Sequence, residues 1–198
     1  MFNRYFKADG NIDFVYANIA VKNIYFALIS LDYILYQKDY NIGIYHDEHT
    51  YYFFHIQSLL TACGNISNIF YNTGFYNKNA TQRSQRLRSM FGVSRKEYPL
   101  TFQKEVRNTN EHFDERYEQF NGRVGDYNLL DIATPQDMRE TILNNPHLRT
   151  YDKSSGIYYT YDRQLQQISY NLYDLRNELN KLRQAIIENR VYESAWAD

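Results

Sequence analysis

Apolar residues recur at alternating spacings of three and four along the first third of the chain. One stripe consists of Phe14, Ala17, Val21, Ile24, Leu28, Leu31 and Leu35. A second consists of Tyr52, Ile56, Leu59, Cys63, Ile66 and Phe70. This period is typical of an α-helix with one buried side, so the pattern predicts two long helices over residues 14–38 and 47–71. Joined by a short loop, they are expected to pack as an antiparallel pair.

Further stretches of the chain also have helical spacing. Residues 80–91 predict a short basic helix that ends at Gly92, and residues 135–143 predict a short helix capped by Thr134. A helix over residues 99–121 is predicted from the stripe Phe102, Val106, Thr109, Phe113 and Phe120, with Pro99 in its first turn and Gly122 beyond its end. The last helix, over residues 171–190, is predicted from Leu172, Leu175, Leu179, Leu182 and Ile186.

Strand-like sequence interrupts the helical pattern before the last helix. Residues Ile157–Tyr161 are rich in β-forming side chains, and the turn-forming run Lys153–Gly156 precedes them. The partner strand is either 149–152 or 166–170, and the sequence leaves both open. The expected fold is a mainly all-α, up-and-down helical bundle with a small β-hairpin near the C-terminus, in a single domain over residues 1–198.

The composition bears on the compartment more than on the chemistry. The sequence contains one cysteine, Cys63, so an internal disulfide is excluded, and the first residues lack a signal-peptide core. No continuous run of eighteen apolar residues occurs, which predicts no membrane span. We therefore expect a cytoplasmic protein. Cys63 lies in a buried stripe, so we expect an inert thiol.

The helix predicted at 99–121 carries Arg107, Asn108 and His112 on its polar side. At about 100° per residue, Asn108 and His112 lie within about 40° of each other, and Arg107 lies in a neighbouring row. Arg107 and His112 are about 7.5 Å apart along the helix axis. A phosphate would fit between such a guanidinium group and an imidazole.

The run from Arg107 to His112 resembles the signature of the HEPN superfamily, in which Arg, followed directly by Asn, precedes His by five positions. HEPN proteins are small helical bundles that include many metal-independent ribonucleases. The resemblance covers residues 12–122 and implies a ribonuclease that needs no metal or cofactor and acts on RNA as a homodimer with a composite site. It also implies a toxin or antiphage-defence setting, with an antitoxin or defence-system partner.

The residue types suit that chemistry. Cleavage of RNA by its own 2′-OH needs a proton acceptor near pH 7 and a cation on the phosphate oxygens. On the resemblance, His112 would act as general acid or base, Arg107 would hold the scissile phosphate, and Asn108 would position His112 or the substrate. The alternatives are a catalytically inactive module that binds RNA or protein, and a solvated helix face with a purely structural role.

Positive charge accumulates just before the motif. Residues 83–107 contain seven basic and two acidic side chains, a net charge of +5. Such a stretch can neutralise RNA phosphates, although a solvated helix face is an equal alternative. The candidate RNA-binding residues are Arg83, Arg86, Arg88, Arg95, Lys96 and Lys104.

Three histidines lie near the start of the second helix. His46, His49 and His55 have spacings of three and six, and no Cys pair or carboxylate set completes a metal site. We therefore predict no metal. For His55 the sequence leaves open a surface position, a core position and a contact with RNA.

Overall fold

A computed structural model describes residues 12–37, 48–72, 78–112, 132–133, 149–164 and 166–194. Its helices are α1 (Ile12–Tyr36), α2 (Glu48–Phe70), α3 (Lys78–Phe91), α4 (Lys104–Glu111) and α5 (Leu172–Ser194). Its strands are β1 (Ile132–Ala133), β2 (Arg149–Asp152), β3 (Ile157–Tyr161) and β4 (Gln167–Asn171). The predicted mainly helical fold is confirmed, and the three long helices start within two residues of the predicted positions.

The core of the bundle lies between α1, α2 and α5. The inward side of α1 presents Ala17, Ala20, Ile24, Ala27, Leu31 and Ile34, all fully or almost fully buried. These positions also alternate by three and four, so the helix packs through one continuous seam. From α5 the core receives Leu172, Leu175, Leu179, Leu182 and Ile186.

Polar side chains fix how α1 and α5 join this core. The Asn171 side chain accepts hydrogen bonds from the backbone N–H groups of Tyr173 (3.0 Å) and Asp174 (3.1 Å), which caps the N-terminus of α5. Arg176 on α5 forms an ion pair with Asp32 on α1 at 3.1 Å. The cap stabilises the start of α5, and the ion pair links α5 to α1 beside the apolar core.

A small sheet covers one side of the bundle. Strands β2, β3 and β4 are antiparallel in that order, and the two-residue β1 joins β2 in parallel. Both partners left open by the sequence therefore pair with β3, because a strand has two edges. Tyr158 in β3 lies opposite Tyr151 on one side and Tyr170 on the other, and all three rings are buried.

The structure corrects the start of the helix that was predicted at 99–121. Residues 99–102 form turns, and the helix begins only at Lys104. Pro99 therefore does not occupy the first helical turn. The described helix ends at Glu111, and the predicted stripe residues Phe113 and Phe120 lie outside the described residues, as do Gly122 and the helix predicted at 135–143.

Helix α1 bears on the membrane prediction. By length and composition it is long and apolar enough to cross a membrane, with a mean hydropathy of 1.5 over an 18-residue window. Of that window, 44% is buried inside the protein, and a core helix of a soluble protein meets the same criterion. The cytoplasmic location stays a prediction.

Candidate functional site

The segment that carries the motif is tied to α5 by one carboxylate. Glu178 accepts hydrogen bonds from the backbone N–H of Leu100 (3.2 Å) and from both the N–H (2.9 Å) and hydroxyl (3.0 Å) of Thr101. The Tyr170 hydroxyl donates to the Leu100 carbonyl at 2.8 Å. N–H groups at the N-terminal end of a helix have no intrahelical partner, and Glu178 satisfies those of Leu100 and Thr101. These contacts anchor the residues just before α4 to α5.

Helix α4 is wedged between α2 and the sheet. Val106 and Thr109 are each 1% exposed, as the predicted stripe requires. The Thr109 hydroxyl donates to the Tyr161 carbonyl of β3 at 2.6 Å. Just before the helix, the Phe102 ring meets that of Tyr71 edge-on, with 4.7 Å between ring centroids. With one side of α4 held in this way, Arg107 is directed along the surface of α2.

Arg107 crosses α2 at Gly64. A Cβ atom at Gly64 would lie 2.5 Å from both Cδ and Nε of Arg107, so the absence of a side chain makes room for the arginine. The guanidinium group donates to Oδ1 of Asn68, one turn further along α2, at 3.4 Å. A glycine inside a helix costs about 0.5–1 kcal/mol relative to alanine, and the position of Arg107 provides a structural reason for it.

His112 lies immediately beyond the end of α4. Its backbone N–H donates to the Asn108 carbonyl at 2.9 Å, and its φ and ψ of −109° and 40° are no longer helical. Its side chain is exposed, whereas Arg107 and Asn108 are half-buried. The motif therefore combines an arginine held against α2 with a histidine that is accessible to a ligand.

The predicted RNA-binding residues do not form one uniform exposed row. Arg86 makes two hydrogen bonds to the Asp13 carboxylate, at 2.7 and 2.9 Å. These bonds lower the pKa of Asp13. Arg83 lies 3.6 Å from the centre of the Tyr16 ring. Both side chains thus fasten α3 to α1, and RNA binding by them stays a prediction.

Two other arginines gather at the end of α2. Arg88 and Arg95 lie 4.6 and 4.5 Å from the centre of the Tyr71 ring. Arg88 also donates to the Phe70 carbonyl. Together with Arg107, they place three guanidinium groups around the last turns of α2, where the helix dipole favours cations. Lys96 is exposed and Lys104 is half-buried.

The structure assigns His55 and Cys63 to the core. His55 is 6% exposed and stacks on Tyr33, with ring centroids 4.5 Å apart, and burial lowers its pKa to about 4. Cys63 is buried, as predicted, and burial raises its pKa to about 12. His46 and the side chain of His49 lie outside the described residues. Among the residues that the structure describes, no group of three His, Cys, Asp or Glu could hold a metal ion.

Sequence reasoning overlooked the residues that support the motif, namely Gly64, Asn68, Tyr71 and Glu178. A glycine inside a predicted helix, next to the stripe residue Cys63, was the one visible signal. No protein-family model, curated protein or solved structure matches this chain. The resemblance to HEPN proteins therefore rests on the motif and its surroundings.

Proposed function

We propose that this chain is a metal-independent endoribonuclease of the HEPN type that acts as a homodimer. The observation that supports the proposal best is the placement of Arg107, which lies across Gly64 and contacts Asn68 while His112 is exposed at the end of the same helix. Charge stabilisation needs a preorganised cation, and proton transfer needs an accessible group. A toxin or antiphage-defence setting belongs to the proposal through the resemblance alone.

The reaction would divide between two copies of the motif. One His112 would remove the proton from the ribose 2′-OH, and the 2′-oxygen would attack the adjacent phosphorus. The bond to the 5′-oxygen would break, and that oxygen would take a proton from the imidazolium of the partner's His112. Arg107 would offset the charge that develops on the phosphate oxygens. The products are a 2′,3′-cyclic phosphate and a 5′-hydroxyl.

The surrounding arginines would contribute to binding. Arg88 and Arg95 lie over Tyr71, and this ring contacts Phe102 just before α4. Guanidinium groups at this position would attract the phosphates that flank the scissile bond. The predicted role of Arg88 and Arg95 in RNA binding is thus compatible with their contacts to the protein.

The test is cleavage of single-stranded RNA in the presence of EDTA. We expect the wild-type chain to cut and to leave 2′,3′-cyclic ends, and we expect Arg107→Ala and His112→Ala to lose at least about a hundredfold in rate. Arg163→Ala is the matched control, because Arg163 is exposed in the turn between β3 and β4. The control should cut like the wild type, and all variants should keep their helical circular dichroism.

Binding measurements separate the enzyme from an inactive module. Arg107→Ala should weaken RNA binding and reduce its salt dependence, since one phosphate contact is lost. His112→Ala should leave RNA binding nearly unchanged, because His112 is assigned to proton transfer and not to holding a phosphate. The contact of Arg107 with Asn68 also fits an inactive RNA- or protein-binding module. If no RNA is cut, including tRNA and total cellular RNA, that alternative becomes the better account.

A further inference from the structure

Helix α1 has a second seam on its solvent side. The outer seam consists of Ile12, Val15, Ile19, Lys22, Phe26, Ile29, Tyr33 and Tyr36, which alternate by three and four without a break. Six of its members are large apolar residues that are 40–60% exposed. A seam of this period, continued over 25 residues, is the pattern by which one helix packs against another.

Both sides of α1 are apolar. The buried side alternates Ala17, Ala20 and Ala27 with Ile24, Leu31 and Ile34, whereas the exposed side carries isoleucine, valine, phenylalanine and tyrosine. In a helix with one side in water, that side is ordinarily polar. The outer seam therefore has the composition of a covered surface.

The area of the seam is sufficient for a stable interface. Six half-exposed side chains present about 100 Å² each, if a large side chain buries about 150–250 Å² in full. Phe54 of α2, which is 53% exposed, adds to the same surface. The total approaches the roughly 800 Å² per partner of a standard protein interface.

The charges on α1 favour a protein partner over a lipid surface. The helix has three charged residues, of which Asp13 pairs with Arg86 and Asp32 pairs with Arg176. Lys22 is the one charged member of the outer seam. A helix that lies on a membrane carries several basic residues beside its apolar side, and α1 does not.

We propose that the outer seam binds a second copy of this chain, with the two α1 helices antiparallel about a two-fold axis beside residue 24. In this register Ile19 faces the partner's Ile29, and Lys22 faces the partner's Phe26. The seam residues lie at equal distances on either side of residue 24. Each contact between the two copies therefore occurs twice, as a two-fold interface requires. The ammonium group of Lys22 would lie near an aromatic ring, which is a favourable arrangement.

A groove beside the seam would complete the interface. It has a volume of about 680 Å³ and lies between Phe26 and Ile29 of α1 and Phe54 of α2. The side chain of Asn65 donates to that of Asn23 in the same groove, at 3.0 Å. This arrangement provides an apolar recess for the flank of the partner's α1 together with polar groups near its edge.

The proposed dimer does not depend on ribonuclease activity, but it would determine where the two motifs lie relative to each other. The hydrogen bond between Asn23 and Asn65 places the middle of α1 level with Gly64, over which Arg107 lies. With the two-fold axis beside residue 24, the Arg107 residues of both copies would lie level with each other along the paired α1 helices. This last point rests on the proposed function, whereas the interface itself rests on α1.

The test is the sedimentation of the full chain at micromolar concentration, with charges placed on the seam. We expect a wild-type dimer of the 23.8 kDa chain. In the variant Ile19→Glu/Ile29→Glu, like charges would face each other, so the dissociation constant should rise at least about a hundredfold. The variant Ile19→Lys/Ile29→Lys should also be monomeric. An equimolar mixture of the two should pair again, because opposite charges then meet.

The matched control is Gln166→Glu/Asn177→Glu, which adds the same charge at two exposed positions outside the outer seam and should remain dimeric. A monomeric wild type, or a dimeric Ile19→Glu/Ile29→Glu variant, would overturn the proposal. Failure of the mixture to pair would overturn the antiparallel register. Flotation of a monomeric wild type with anionic phospholipid vesicles, lost in the glutamate variant, would identify a lipid surface instead. A dimer without cleavage would count against the ribonuclease and leave this interface standing.

Discussion

The α1–α2 pair and the motif segment, residues 98–112, are held in place by different means. The pair is joined along its length by apolar seams and by the stacked rings of Tyr33 and His55. The motif segment buries only Tyr98, Phe102 and Val106 in the apolar core and adds directional contacts, among them those of Glu178 with Leu100 and Thr101. Seams distribute their free energy over many residues, whereas a few hydrogen bonds concentrate it.

This difference separates stability from function. A change in the pair should alter the unfolding of the whole domain, because its core is shared by every long helix. A change in the motif segment should displace Arg107 or His112 at a smaller cost in global stability. The following predictions test that separation, in order of decreasing effect on the free energy of unfolding.

The largest effect is expected from acid acting on the α1–α2 pair. The pKa of His55 is about 4 in the folded chain, and it returns to about 6.5 on unfolding. Between these values the unfolded chain binds a proton that the folded chain does not, so stability is complete above about pH 6.5 and decreases as the pH falls towards 4. The loss should reach about 3 kcal/mol in urea unfolding.

The variant His55→Phe is the control for this effect, because a phenyl ring can stack on Tyr33 but cannot titrate. Its stability should change much less between pH 6.5 and 4 than that of the wild type. Equal pH dependence in both proteins would contradict the assignment of the acid sensitivity to His55.

An intermediate effect is expected from Glu178→Ala. The variant removes the acceptor of three hydrogen bonds from Leu100 and Thr101, and we expect a loss of about 1–3 kcal/mol. Hydrogen exchange of these two amides should accelerate more than that of the α1 and α2 amides. Glu178→Gln keeps one acceptor oxygen, so its free energy of unfolding should lie between those of the wild type and Glu178→Ala. Uniform acceleration across the bundle would mean that the segment is not an independent unit.

The smallest effect on stability, but a large one on the site, is expected from Gly64→Ala. The methyl group would push Arg107 off α2, so the gain in helix propensity, up to about 1 kcal/mol, should be offset. In the background Arg107→Ala the same change should stabilise by about that amount. If Gly64→Ala has the same effect on unfolding in both backgrounds, Arg107 does not lie over Gly64.

The same contrast explains what the sequence could predict. The apolar stripes of α1, α2 and α5 identified these helices because each stripe is a local pattern that survives in the fold. The anchoring of the residues before α4 was not predictable, because it depends on Glu178, which lies 77 residues further along the chain than Thr101. Likewise, both possible partners of β3 proved correct. The sequence pattern shows where strands lie, but it does not show how many of them pair with β3.

For the candidate site, the sequence identified the chemistry but not its surroundings. Arg107, Asn108 and His112 stood out by spacing, whereas Gly64 and Asn68, which position Arg107, belong to another helix. The basic stretch suggested one RNA-binding surface, yet Arg86 contacts Asp13 and Arg88 contacts the end of α2. Side-chain contacts between distant segments have no period, so no local pattern reports them.

The burial of Cys63 has a practical consequence for work on this protein. Thiol reagents react with the thiolate, and a pKa of about 12 in a buried position keeps this thiol protonated and shielded at neutral pH. Because the sequence contains no other cysteine, a cysteine introduced at an exposed position such as Ser89 would be the one that reacts. Fluorescent or spin labels can thus be attached to the otherwise native chain, and distances between copies can be measured without first removing a residue from its core.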